Sequence, residues 1–169
     1  GKKSVVSLQK VLFFINTANP DPNRAFKNNP DLNLKADYEE QWKSFINKNH
    51  LKDQVGNIGA FYLADEPYWN NLTYEDLQAA AWLVKRDFPT TPIAIVETPM
   101  GLDLFNGSTP FVPDVIDWIG FDMYGIRHPA TDSKILSVFA KLKTKLIREK
   151  QRIVFIGDAF WDPYLHGSN

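Results

Sequence analysis

The chain has 169 residues, of which 44% are hydrophobic and 23% charged, and its formal net charge is −1. This balance gives no long-range attraction to nucleic acid or anionic lipid, and no apolar run reaches the roughly twenty residues of a membrane span. The absence of cysteine excludes disulfides, thiolate metal sites and a cysteine nucleophile. We therefore expect a single domain over residues 1–169, with no nucleic-acid and no membrane partner.

The first part of the chain predicts one strand and one polar loop. Val5 to Gln9 is ambiguous, because it fits either the end of a helix or a cut strand. The continuous apolar run from Val11 to Ile15 ends at Asn16 and is typical of a buried parallel strand. The prolines and asparagines of residues 19–30 predict a surface loop after it.

Apolar periodicity and capping residues predict three helices. The first begins at Asp37 and ends near His50, and the second is capped by Thr73. The third is capped by Asp132 or Ser133. Glycines and prolines between residues 100 and 114 predict that a helix is reduced or missing there. Apolar neighbours place three tryptophans in the core: Trp42, Trp82 and Trp118.

A strand that begins at Ile58 meets two adjacent acids and a proline in Asp65-Glu66-Pro67. Pro67 cannot donate to a sheet ladder and favours an extended residue before it, so we expect the strand to end with Glu66 extended. Neighbouring side chains of a strand point to opposite faces, so only one of the two acids is expected to face a given pocket. Trp69 follows and places an aromatic surface beside the carboxylates.

Three further buried strands run into polar side chains at their carboxyl ends. They are Ile93–Val96, followed by Glu97; Asp117–Tyr124, with Asp122 and Tyr124 on one face; and Arg152–Gly157, followed by Asp158 and Trp161. Parallel strands deliver their carboxyl ends to the same side of a sheet. We therefore expect these groups to converge on one cleft: Asn16, Glu66, Glu97, Tyr124 and Asp158.

The alternation of strands and helices predicts an α/β fold with a parallel sheet. An open doubly wound sheet fits the length, but the chain has no Gly-rich phosphate loop. An eight-stranded (β/α)8 TIM barrel fits the acids at the strand ends, but usually needs about 250 residues. We therefore interpret the chain as part of a longer barrel, with strands three to seven present and two open sheet edges.

These strand ends resemble the cellulase-like glycoside hydrolase superfamily of retaining barrel enzymes. There an Asn-Glu-Pro sequence ends strand four with the acid/base glutamate, which Asp65-Glu66-Pro67 resembles. Gly120-Phe121-Asp122-Met123-Tyr124 is similar to the strand-six segment that ends in tyrosine. The strand-seven nucleophile, a glutamate in the family, corresponds to Asp158 in Ile156-Gly157-Asp158.

The resemblance implies a hydrolase of O-glycosidic bonds in an oligo- or polysaccharide, secreted or periplasmic, without cofactor or metal. It makes Glu66 and Asp158 the catalytic pair. Asp158 is one methylene shorter than glutamate, and the separation of the two carboxyls, about 5 to 5.5 Å or about 6.5 to 9.5 Å, would decide between retention and inversion. The expected substrate-binding residues are Asn16, Asp65, Trp69, Glu97, Asp122, Tyr124 and Trp161. Either Glu97 or Asp122 is an alternative second carboxylate.

A barrel that binds carbohydrate without cleaving it is the competing interpretation. In that case the aromatic residues Tyr68, Trp69 and Trp161 stack on sugar rings and the acids only accept hydrogen bonds. The role of Asp158 separates the two interpretations, because hydrolysis by a carboxylate pair needs a second acid.

Overall fold

The computed structural model describes residues 2–16, 31–104, 111–126, 128–147 and 149–157. In chain order the elements are β1 Ser4–Ser7, α1 Gln9–Leu12, β2 Phe13–Asn16, β3 Asp31–Leu34, α2 Tyr38–Lys48, a 3-10 helix Leu51–Asn57, β4 Ile58–Asp65, α3 Tyr74–Asp87, β5 Ile93–Glu97, α4 Pro99–Leu104, β6 Trp118–Asp122, α5 Ser133–Lys145 and β7 Arg152–Ile156. Within these residues no helix is both long and apolar enough to cross a membrane.

The main sheet has five strands in the order β1-β4-β5-β6-β7, and every neighbouring pair is parallel. The predicted α/β class with a parallel sheet is therefore confirmed. In the described part of the chain the sheet is open, with β1 and β7 as its outer strands.

The prediction of a parallel strand at Val11–Ile15 is wrong. The first strand of the sheet is the ambiguous Ser4–Ser7 segment, and the apolar run is divided between the short helix α1 and β2. Strand β2 pairs with β3 in a separate antiparallel hairpin, where Asn16 lies opposite Asp31. Because a short apolar run fits a buried helical turn as well as a strand, periodicity alone did not separate these possibilities.

One face of the sheet packs against the helices and carries the core. Phe61 of β4 makes edge-to-face contacts with Trp42 of α2 and with Phe88, which follows α3. Phe121 of β6 packs in the same way on Phe139 of α5. Each fully buried large side chain of this kind stabilises the fold by about 1.5 to 3 kcal/mol. These aromatic contacts join buried aliphatic side chains of the helices, such as Leu77 and Leu142, in one core.

The helix signals had mixed outcomes. The Thr73 hydroxyl accepts from the backbone N–H of Asp76, and Asp132 accepts from two N–H groups of α5, so both caps are confirmed. The six-residue α4 agrees with a reduced helix after β5.

Of the three tryptophans predicted to lie in the core, only one does so. Trp42 is fully buried as predicted, but Trp82 is 53% exposed and does not belong to the core. Trp118 is half-buried and lies on the opposite face of the sheet.

Candidate functional site

An open groove runs along the face of the sheet that the helices do not cover. It has a volume of about 430 Å³, and its floor is made of small and branched side chains, including Ala60, Ala94, Val96, Gly120 and Val154. Gly120 keeps this floor low, because a Cβ there would lie 2.8 Å from Cγ2 of Val96. Asp65, Asp122 and Tyr124 line the groove near the carboxyl ends of the strands.

A larger cavity, of about 690 Å³, lies on the outer surface around Trp82. Its charged side chains form ion pairs: Lys85 with Asp117 at 2.8 Å, and Arg86 with Glu39, which also lines the cavity, at 3.4 Å. None of the acids at the strand ends lines it. We therefore place the candidate site in the smaller groove, where the acids at the strand ends lie.

A β-bulge in β4 brings Asp65 to the groove. Tyr62 pairs with Ala94 of β5, but Ala64 pairs with Ile95, so Leu63 is an extra residue in the ladder. The bulge reverses the alternation, and Tyr62 and Asp65, three residues apart, both line the groove. The Tyr62 hydroxyl donates a hydrogen bond to Oδ1 of Asp65.

Glu66 adopts the left-handed conformation, with φ = 47°, so the predicted extended backbone is wrong. For a residue with a Cβ this conformation costs about 1 to 2 kcal/mol. The surrounding hydrogen bonds hold it in place: the Glu66 N–H donates to the Val96 carbonyl at 2.7 Å, and the Glu66 carbonyl accepts from Asn70 at 2.9 Å. Strained backbone of this kind tends to occur at functional sites.

Glu97 supports this turn from beneath and does not line the groove. It lies on the helix-facing side of β5, is 0% exposed, and accepts from the backbone N–H of Tyr68 at 2.7 Å and of Thr98 at 2.8 Å. The Trp69 N–H also donates to it. This geometry corrects the expectation that Glu97 binds substrate, because its carboxylate is spent on the backbone of the turn.

Asp122 and Tyr124 share a face, as predicted. The Tyr124 hydroxyl donates to Oδ2 of Asp122 at 2.8 Å, and this bond is the largest cause that raises the pKa of Tyr124, to about 12. Asp122 is 8% exposed, and among the described residues its buried Oδ1 has no hydrogen-bond partner. A buried carboxylate oxygen without a donor costs about 1 to 3 kcal/mol or more.

The half-buried Glu66 carboxyl has a raised pKa, so it keeps its proton to a higher pH than an exposed glutamate does. Loss of hydration raises its pKa from 4.5 to about 7, with further contributions from the charges of Asp122 and then Asp65. Burial likewise raises the pKa of Glu97 to about 8, against the opposing effect of its backbone donors. The electrostatic influence of Asp122 and Asp65 on Glu66 places these three acids in one cluster.

The remaining predicted site residues are distributed differently. Asn16 belongs to the hairpin rather than to the parallel sheet. Trp69 is half-buried and does not line the groove, while Tyr68 is 7% exposed and its hydroxyl donates to the Phe111 carbonyl, which removes it as a stacking platform. Asp158 and Trp161 lie outside the described residues. Of the predicted convergence, the described part brings Glu66, Glu97 and Tyr124 to one end of the sheet.

Two contributors were missed by sequence reasoning. Tyr62 reaches Asp65 only because of the bulge, which leaves no signal in the residue pattern. Gln9 follows β1, and its Oε1 accepts from the Asp65 N–H at 2.7 Å. Assigning the Ser4–Ser7 strand would have put Gln9 at a carboxyl end and identified it as a candidate.

The described acids and histidines include no group of three or more arranged to hold a metal ion. The polar groups that the described residues bring to the groove are carboxyls, from Asp65 and Asp122, and phenols, from Tyr62 and Tyr124. Comparisons with family models, with curated proteins and with solved structures give no match to this chain.

Proposed function

We propose that the chain carries the site of a glycoside hydrolase, with Glu66 as the general acid. The observation that carries this proposal is the environment of Glu66: a half-buried carboxyl whose pKa is raised to about 7 by desolvation and by the charges of Asp122 and Asp65. Glu66 is not itself among the residues that line the open groove, but both of those neighbouring acids are. A group that protonates a departing glycosidic oxygen must still hold its proton near neutral pH. Ordinary exposed glutamates have lost theirs.

Hydrolysis also needs a second carboxylate, as a nucleophile or as a base for water. We propose Asp158 for this role, on its position after β7 and on the resemblance at that strand end. Among the described acids, Asp122 is the alternative, because it lines the groove and influences Glu66. Asp158→Asn should abolish cleavage if Asp158 is the nucleophile, whereas Asp122→Asn should do so if that role belongs to Asp122.

For the fold, we propose that the five-stranded sheet is part of a (β/α)8 barrel. Three features of the described residues support this: all five strands of the main sheet are parallel, their order in the sheet follows the chain, and only strands and their carboxyl-end residues line one face. In the described part of the chain β1 and β7 each pair on one side only, and a barrel would pair their other edges with further strands. Those strands would come from further segments of a longer protein or from another chain.

The proposal is tested with Glu66→Gln, which keeps the shape of the side chain but cannot donate the catalytic proton. In the intact protein, turnover on an ordinary oligosaccharide should fall by about 10² to 10⁴. Cleavage of an activated aryl glycoside should fall much less, because its leaving group needs little protonation. Glu75→Gln, in the exposed first turn of α3, is the matched control and should leave both rates unchanged.

If the intact protein binds oligosaccharides but releases no reducing sugar across a broad panel, the hydrolase proposal fails. The alternative function, a carbohydrate-binding barrel without activity, then takes its place. Tyr62, Trp118 and Tyr124 line the groove and are the described aromatic residues that such a binding site would use.

A further inference from the structure

We propose that the groove prefers a sugar with a free, protonated amine over its N-acetylated, neutral or uronic-acid counterparts. This inference rests on the proposed function and names the class of substrate. It follows from the charges that surround the groove, from an unsatisfied buried carboxylate and from the aromatic side chains between them.

Among the described residues, the acids at the carboxyl end of the groove have no basic counterpart. Asp65 and Asp122 accept hydrogen bonds from the neutral hydroxyls of Tyr62 and Tyr124, and over the described residues neither forms an ion pair, nor does Glu66. No lysine, arginine or histidine of the described chain lines the groove. Elsewhere the same chain does neutralise its acids, as in the pairing of Lys85 with Asp117.

Asp122 supplies a second, independent indication. It lines the groove, is more than nine-tenths buried, and leaves Oδ1 without a hydrogen-bond partner. A positive charge in the groove would lower the cost of this desolvated carboxylate without touching Oδ1, because Coulomb attraction acts over several ångströms and is screened less at a buried charge than at an exposed one. A neutral hydroxyl gives no comparable gain at that range.

The aromatic side chains favour an organic cation. Tyr62, Trp118 and Tyr124 line the groove, and the faces of such rings attract ammonium groups as well as sugar rings. A divalent metal ion is the competing cation, but the described residues offer no set of three ligands for one. An amine carried on a sugar satisfies both the acids and the rings.

The test measures binding to the intact protein carrying Glu66→Gln, so that cleavage does not consume the ligand. A glucosamine oligomer, its N-acetylated form and a galacturonic acid oligomer of equal length are compared by calorimetry at mildly acidic pH. The glucosamine oligomer should bind about tenfold or more tightly than the N-acetylated one, and the uronic acid oligomer should not bind. Added salt should reduce the difference in affinity between the glucosamine oligomer and the N-acetylated one.

Asp65→Asn should reduce the preference for glucosamine several-fold, because loss of the negative charge weakens binding of the amine much more than binding of the N-acetylated oligomer. Asp53→Asn changes the net charge equally, but this acid is 80% exposed outside the groove, so both affinities should stay unchanged. Equal affinities for the amine and the N-acetylated oligomer, binding of the uronic acid oligomer, or no binding at all would overturn the inference.

These outcomes separate this inference from the proposed function. Amine-selective binding without cleavage by the wild-type protein refutes the hydrolase proposal and leaves the inference standing. Cleavage of neutral glycans by the wild-type protein, with no preference for the amine in the binding assay, refutes the inference and leaves the hydrolase proposal standing.

Discussion

Replacing Gly101 with alanine should break the support beneath Glu66. Gly101 lies in α4, and a Cβ at this position would stand 2.2 Å from Oε1 and 2.4 Å from Cδ of Glu97. Both distances are far below van der Waals contact. The carboxylate would have to move away, although it is fully buried and holds the N–H groups of Tyr68 and Thr98.

Two effects of opposite sign decide the result. Alanine is favoured over glycine inside a helix by about 1 kcal/mol. Moving Glu97 leaves the buried backbone N–H groups of Tyr68 and Thr98 without their acceptor, which costs about 1 to 3 kcal/mol each. The loss exceeds the gain, so the free energy of unfolding should fall by about 1 kcal/mol or more.

The change is measured by urea unfolding, with Gly56→Ala as the matched control. A Cβ on Gly56 would meet nothing within 4 Å, so this variant should stay within about 0.5 kcal/mol of the wild type. A double-mutant cycle isolates the contact. In a Glu97→Ala background the clash is absent, and Gly101→Ala should cost nothing or stabilise slightly.

Two results would refute this reasoning. One is a Gly101→Ala protein as stable as the Gly56→Ala control. The other is a cost that is the same with and without the Glu97 side chain, because the loss would then arise somewhere other than at the predicted contact.

Three further predictions concern stability. Burial raises the pKa of Glu97 from 4.5 to about 8, so the folded protein holds a proton that the unfolded chain releases, and stability should fall as pH rises from about 4.5 through 8. Urea midpoints across this range should show a flatter slope for Glu97→Gln, and an unchanged slope would contradict the assignment. Asp132→Ala removes the cap of α5 and should cost about 1 kcal/mol, whereas Ser133→Ala, one residue on, should cost less. Lys85→Met breaks a pair in which Lys85 is 15% exposed and should cost more than Arg86→Met, whose side chain is 59% exposed; equal unfolding midpoints would refute this ranking.

Local sequence by itself determined the features that depend on near neighbours. The Thr73 cap, and the choice of Asp132 or Ser133 for α5, were readable because a cap is set by a side chain and the backbone two or three residues on. The shared face of Asp122 and Tyr124 was readable because alternate residues of an extended segment point to the same side, whereas their hydrogen bond was not predicted. The parallel α/β class followed from the alternation of elements along the chain.

Tertiary structure alone decided the features that depend on distant partners. The bulge at Leu63 exists only in the pairing of β4 with β5, and it reversed which side chains reach the groove. Whether the run at Val11–Ile15 formed a strand depended on which segment paired with the edge of β4. Glu66 is left-handed because its backbone hydrogen bonds with Val96 and Asn70, together with the support of the turn by Glu97, outweigh the extended conformation that a residue before proline favours. The local sequence determined which polar residues stand at the strand ends. The long-range pairing of the strands determined which of those residues line the groove.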